Sequence, residues 1–156
     1  MNHNVKKFIL TEEGLDQLKA ECEELIKSKR PQIVRRIKRA REFGDLSENS
    51  EYDAAKEEQS LIEARISQLE DVILHAQIAQ QVKKTDFVVI GSTVIVESDG
   101  QVEEFSIVGS MEADPAMKKI SNESPVGFAL LGAKVGELVD VITPIIRAKY
   151  KILSIK

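Results

Sequence analysis

The chain has 156 residues, 42% hydrophobic and 4% aromatic, with 22 Lys and Arg against 26 Asp and Glu and a formal net charge of −4. One domain or two small ones fit that length, and the blend of apolar and charged residues excludes a wholly disordered chain. The net charge gives no general pull toward nucleic acid, so such a contact must come from a local patch.

Cys22 is the only cysteine, which excludes an internal disulfide and a thiolate metal cluster and points to a reducing cytoplasm. His3 and His75 stand far apart without metal-ligand spacing and read as bland surface or seam residues. The opening MNHNVKKFIL is too short in its apolar run for a signal peptide, and no run approaches the length of a membrane span. No membrane partner is expected.

Everything before about residue 80 reads as helix. From Thr11 onward Leu15, Leu18, Cys22 and Leu25 recur in steps of three and four, and the stripe continues through Ile26, Ile33, Ile37 and Ala40. A phase slip near Lys29–Pro31, where proline removes a backbone donor, predicts a bend or kink. A second stripe runs through Ala55, Glu58, Ile62, Ile66, Leu69, Ile73 and Ala76. Between the two, Phe43-Gly44-Asp45-Leu46-Ser47 offers a glycine for a helix C-terminus and polar groups to cap the next helix. Two one-sided helices of about 33 residues each predict an antiparallel hairpin, a rod of about 50 Å.

From Asp86 the period changes to that of strands: VVIGSTVIV, EFSIVG, LVDVIT and AKYKILSI, with SPVGFALLGAK as a short helix opened by Pro125 and closed by Gly132. The expected fold is α+β. Residues 1–79 form a coiled-coil domain with an acidic tip near 44–49, and residues 80–156 a small, mostly antiparallel sheet with one short helix.

Charge is segregated along the hairpin. Residues 27–41 carry eight basic side chains and no acid, including Arg35, Arg36, Lys38, Arg39 and Arg41, whereas residues 42–58 carry seven acids and one base, Lys56. At about 100° per residue the basic groups cover most of the surface outside the seam. They read either as a solvated face with cross-hairpin ion pairs to acids such as Glu57 or Glu58, or as a track for phosphates. Asp45 and Glu48, three apart where the second helix should begin, read either as a capping box or as two ligands of a magnesium ion whose remaining shell a partner completes. Two carboxylates on a long arm suit insertion into another enzyme's phosphoryl-transfer site. Phe43 and Tyr52 either stack on a base or close the hairpin core. Ser47 and Asn49 read as caps.

The segment RAREFGDLSENSEYDAAKEEQ, residues 39–59, resembles the tip signature of the bacterial Gre transcript cleavage factors. RP-x-I at Arg30 and Pro31, ISNESPVGFALLG from Ile120 and VGELVDVITP ending at Pro144 extend the likeness over essentially the whole chain. The resemblance implies an FKBP-like C-terminal domain and a protein cofactor, not an enzyme. Such a factor binds bacterial RNA polymerase and reaches through its secondary channel with the coiled coil. Its tip acids, matched by Asp45 and Glu48, help hold a second Mg²⁺ so that the polymerase cuts the 3′ end of backtracked RNA. Arg41 and Lys56 match family positions that are candidates for contact with the extruded RNA, and Glu123, Ser124 and Pro125 match a loop that docks on the polymerase. The acidic balance favours the GreA type over the GreB type. One departure is Ile145-Ile146 where a Gly-Gly pair often follows Thr-Pro, which predicts a different last turn. The alternatives are a channel-binding inhibitor without cleavage activity, a scaffold and a prolyl isomerase. The two tip acids weigh against the first two, and the scarcity of aromatics against the third.

Overall fold

A computed structural model describes residues 6–44, 49–80 and 85–156. The chain folds as two compact units, one running from Leu15 to His75, the other joining the described residues up to Gly14 to those from Ala76 onward. The sequence division fell after residue 79, whereas packing divides the chain after His75 and assigns the first strand to the sheet unit.

That strand, β1 (Phe8–Leu10), precedes helix α1 (Glu12–Glu24). Thr11 opens α1 by accepting a hydrogen bond from the Gly14 N–H at 3.0 Å. A π-helical turn, Leu25–Lys29, leads into α2 (Arg30–Glu42). In that turn the Arg30 N–H donates to the Leu25 carbonyl, five residues back. The wider turn absorbs one extra residue, which is the phase slip visible in the sequence, and seats Pro31 where its missing N–H does least harm. Leu18 and Cys22 before it and Ile33, Ile37 and Ala40 after it are all buried.

Helix α2 ends at Phe43, and Gly44 follows with φ +120°, a backbone conformation that side chains resist. Helix α3 (Ser50–Leu74) returns antiparallel, burying Ala55, Ile66, Leu69 and Val72. Glu58, counted in its stripe, is instead exposed and paired with Arg36, while Val72, outside the expected stripe, is 1% exposed. Ile33, Ile37 and Ala55 form the tip-side core, with Tyr52 and Ile62 against it.

The segment expected to continue as helix to Ala76 becomes strand β2 (Ala76–Ile78), which pairs in parallel with β1, Phe8 opposite Ala76 and Leu10 opposite Ile78. Five strands then make the main sheet: β3 (Thr93–Ser98), β4 (Gln101–Val108), β5 (Lys119–Ser121), β6 (Leu138–Ile142) and β7 (Arg147–Ile155), in the order β5-β4-β3-β7-β6. Only the β4–β5 pair is parallel. The run VVIGSTVIV is strand only in its second half, because Gly91 turns the chain at φ +97° and the Ser92 hydroxyl accepts from the Val89 N–H at 3.0 Å.

Helix α4 (Pro125–Leu130) packs Leu130 into a core of Val88, Val94, Val96, Phe105, Ile107, Ala133 and Ile152. Tyr150 meets Phe105 edge to face, centroids 6.1 Å apart, and so belongs to this core. The final hairpin turns through Thr143–Ile146 without a positive φ: Thr143 N–H donates to Ile146 O at 2.7 Å, and the Thr143 hydroxyl accepts from Ile146 N–H at 2.8 Å. The side chain of Thr143 supplies what glycine's backbone freedom would otherwise provide.

Candidate functional site

The tip of the hairpin unit is organised by Asn49. Its side-chain oxygen accepts from the Tyr52 N–H at 3.2 Å, capping α3, and its amide donates to the Ala40 carbonyl of α2 at 2.7 Å. One side chain thus satisfies an open N–H at the start of one helix and gives a second donor to a carbonyl near the end of the other, which also accepts from the Phe43 N–H at 3.3 Å. The capping-box alternative placed the cap at Asp45; the cap of α3 is Asn49. Asp45 and Glu48 themselves, with Leu46 and Ser47, lie outside the described residues.

The basic run divides between the two sides of the hairpin. On one side Arg36 bridges to α3, bonding Glu51 at 3.0 Å and also pairing with Glu58. Those two carboxylates, Glu51 first, raise the Arg36 pKa above its ordinary value. On the other side Val34, Ile37, Lys38, Arg41, Glu42, Lys56 and Gln59 line a groove of about 510 Å³. Within it the Arg41 guanidinium lies 5.8 Å from the Tyr52 ring centroid, and Lys56 donates to Gln59 at 3.0 Å. Lys38 and Arg41 have no ion-pair partner among the described residues, nor do the exposed Arg35 and Arg39.

Nearer the base, bidentate pairs cross the hairpin: Arg30 to Glu63 at 2.7 and 2.8 Å, and Arg65 to Glu21 at 2.7 and 2.9 Å. The Arg30 hydrogen bond holds the Glu63 carboxyl below its usual range. Tyr52 closes the hairpin core, whereas Phe43 is 85% exposed and closes nothing. Val34 and Gln59 in the groove were not singled out from the sequence; Val34 could have been, as an apolar residue off the buried stripe.

In the sheet unit the Ser124 hydroxyl caps α4, accepting from the Gly127 N–H at 3.1 Å while donating to the Ser121 carbonyl at 2.7 Å. Pro125 occupies the first helical position, and Glu123 is exposed with its N–H on the Ser121 hydroxyl at 3.0 Å. The turn is therefore rigid, and its Glu123 side chain faces solvent.

Residues 8–78 match the family described as transcription elongation factor, N-terminal, and residues 83–156 match transcription elongation factor GreA/GreB, C-terminal. The chain belongs to the GreA/GreB family of transcription elongation factors. A transcription elongation factor GreA from Lactococcus lactis subsp. cremoris is 50% identical over 153 residues, covering 96% of this chain and 98% of its own. Another from Acetivibrio thermocellus is 52% identical over 155 residues, with 97% of each chain covered. A solved structure, GreA factor homolog 1 of Thermus thermophilus, aligns over 97% of this chain and 99% of its own at 29% identity and a TM-score of 0.45. As a GreA/GreB factor the chain is an elongation factor and not itself an enzyme. Among the described residues no helix is long and apolar enough to cross a membrane.

Proposed function

We propose that this elongation factor acts in the cytoplasm on bacterial RNA polymerase, enters its secondary channel with the helical hairpin, and stimulates the polymerase's own cleavage of backtracked RNA. The observation that carries the reading is the full-length GreA/GreB match combined with both carboxylates, Asp45 and Glu48, in the segment joining α2 to α3. Asp45 and Glu48 would supply only part of the shell of a Mg²⁺ ion, the polymerase the rest, and the ion would lower the pKa of a bound water for phosphodiester hydrolysis. With Asn49 capping α3, the helix start requires neither acid. Lys38, Arg41 and Lys56, gathered in one groove, are the cations for the phosphates of the extruded RNA, with Arg35 and Arg39 on the outer surface beside them. Arg36, engaged by Glu51 and Glu58, contributes chiefly to holding the helices together. Glu123, Ser124 and Pro125 form the turn that docks on the polymerase.

The test is cleavage of 3′-labelled RNA in a stalled, backtracked polymerase complex with Mg²⁺. Short 3′ fragments with the native chain, and none with the Asp45→Ala, Glu48→Ala double variant despite equal binding, are expected. Binding without fragments for both proteins would instead assign the chain as a channel-occupying inhibitor.

A further inference from the structure

Two cations of α2 near the tip are held in opposite ways. Arg36 is gripped by two carboxylates, Glu51 and Glu58, so its charge is matched within the hairpin. Arg41, five residues on, lies over the Tyr52 ring with its guanidinium 5.8 Å from the centroid, and no carboxylate among the described residues pairs with it. Glu42 lines the same groove and pairs with none of its cations among the described residues.

The ring itself is well fixed. Tyr52 is half-buried and packs against the cluster of Ile33, Ile37 and Ala55. Its N–H bonds the Asn49 side-chain oxygen at 3.2 Å, and the amide of the same Asn49 donates to the carbonyl of Ala40, the residue before Arg41, at 2.7 Å. The backbones that carry the ring and the guanidinium are thus tied together through one side chain. A long arginine left to itself samples many rotamers, and that freedom is given up when it binds a phosphate. A carboxylate would restrain the side chain but compete with the phosphate, as Glu51 and Glu58 do at Arg36. An aromatic face attracts a guanidinium through its quadrupole and leaves the positive charge available.

We infer that Tyr52 is a positioning residue whose ring holds the Arg41 guanidinium in the groove, still charged, for a phosphate of the extruded RNA. The inference rests on the reading of Lys38, Arg41 and Lys56 as RNA contacts, and it assigns the ring to the arginine and not to a base.

The test is a double-mutant cycle on cleavage of 3′-labelled RNA in the stalled, backtracked complex, at saturating factor and Mg²⁺, with the melting temperature of each variant recorded. Arg41→Ala should slow cleavage about tenfold, the loss of one charged hydrogen-bonding group. Tyr52→Leu keeps an apolar side chain against the seam and should slow it about two- to fivefold. Tyr52→Phe keeps the ring and should cleave at the native rate. In the Arg41→Ala background, Tyr52→Leu should slow cleavage no further. Each of four results would overturn the proposal. An equal loss from Tyr52→Leu with and without Arg41 would make the ring a base stack or a part of the core, the melting temperature separating the two. A slow Tyr52→Phe variant would move the role to the hydroxyl. An unchanged rate for Tyr52→Leu beside a slow Arg41→Ala would remove Tyr52 and leave the groove reading standing. An unchanged rate for Arg41→Ala would overturn the groove reading itself, and this inference with it.

Discussion

The hairpin unit and the sheet unit bury their apolar residues in different ways. The sheet unit surrounds Ile152, Val94, Val96, Ile107 and Leu130, each fully buried, with side chains from strands and helix alike. The hairpin has a single seam, and near its tip Ile33, Ile37 and Ala55 form a buried cluster among the described residues, with Tyr52 and Ile62 beside it. What the hairpin lacks in depth it replaces with connections across its length: Asn49 at the tip, then Arg36, Arg30 and Arg65 bridging to carboxylates on the opposite helix. A two-helix arm leaves most of every helix surface in water, so it can carry cations and acids that a closed core would reject.

That contrast sets the size of what substitutions should do. The largest effect is expected in the sheet: Ile152→Ala, emptying a fully buried site enclosed on all sides, should cost about 4 kcal/mol in denaturant unfolding followed by the amide signals of the sheet unit. Ile33→Ala in the hairpin should cost about 2–3 kcal/mol, because two helices collapse onto a void more readily than a packed sheet does. Equal costs would show that the seam is as constrained as the closed core. Asn49→Ala removes the α3 cap and the bond to Ala40, and should cost about 1–2 kcal/mol while leaving the sheet unit's amide exchange unchanged.

Cleavage separates the two sides of the hairpin. Arg41→Ala with Lys56→Ala should lower stimulated cleavage at unchanged melting temperature, whereas Arg36→Ala should lower the melting temperature of the hairpin, and the reverse pattern would reassign the groove. The smallest effect is that of pH. The Glu63 carboxyl, held below its usual range by Arg30, contributes stability above its unfolded pKa. That contribution is lost as pH falls through the depressed folded value. The group is exposed, so Glu63→Gln should flatten the acid limb of the melting curve only slightly.

The helical seam was legible because a helix repeats its buried positions every three or four residues, and even the π-turn showed itself as a slip of phase beside Pro31. The short helix opened by Ser124 and Pro125 was legible for a similar local reason, a hydroxyl cap followed by proline. Pairing of Phe8 with Ala76 was not, because a three-residue strand has no period of its own and is created by a partner far along the chain. The side chosen by each basic residue was also beyond the pattern. Arg36 and Lys38 sit in the same run of charge, yet only the facing helix decides that one meets Glu51 and Glu58 while the other lines a groove.

By itself the sequence determined the α+β class, the hairpin, the family and the position of the two acids between the helices, since each rests on local periodicity or on a contiguous motif. Only the tertiary structure decided that Phe8–Leu10 pairs with Ala76–Ile78 and which cations remain unpaired among the described residues. Those outcomes depend on distances between residues remote in sequence, and no local preference encodes them.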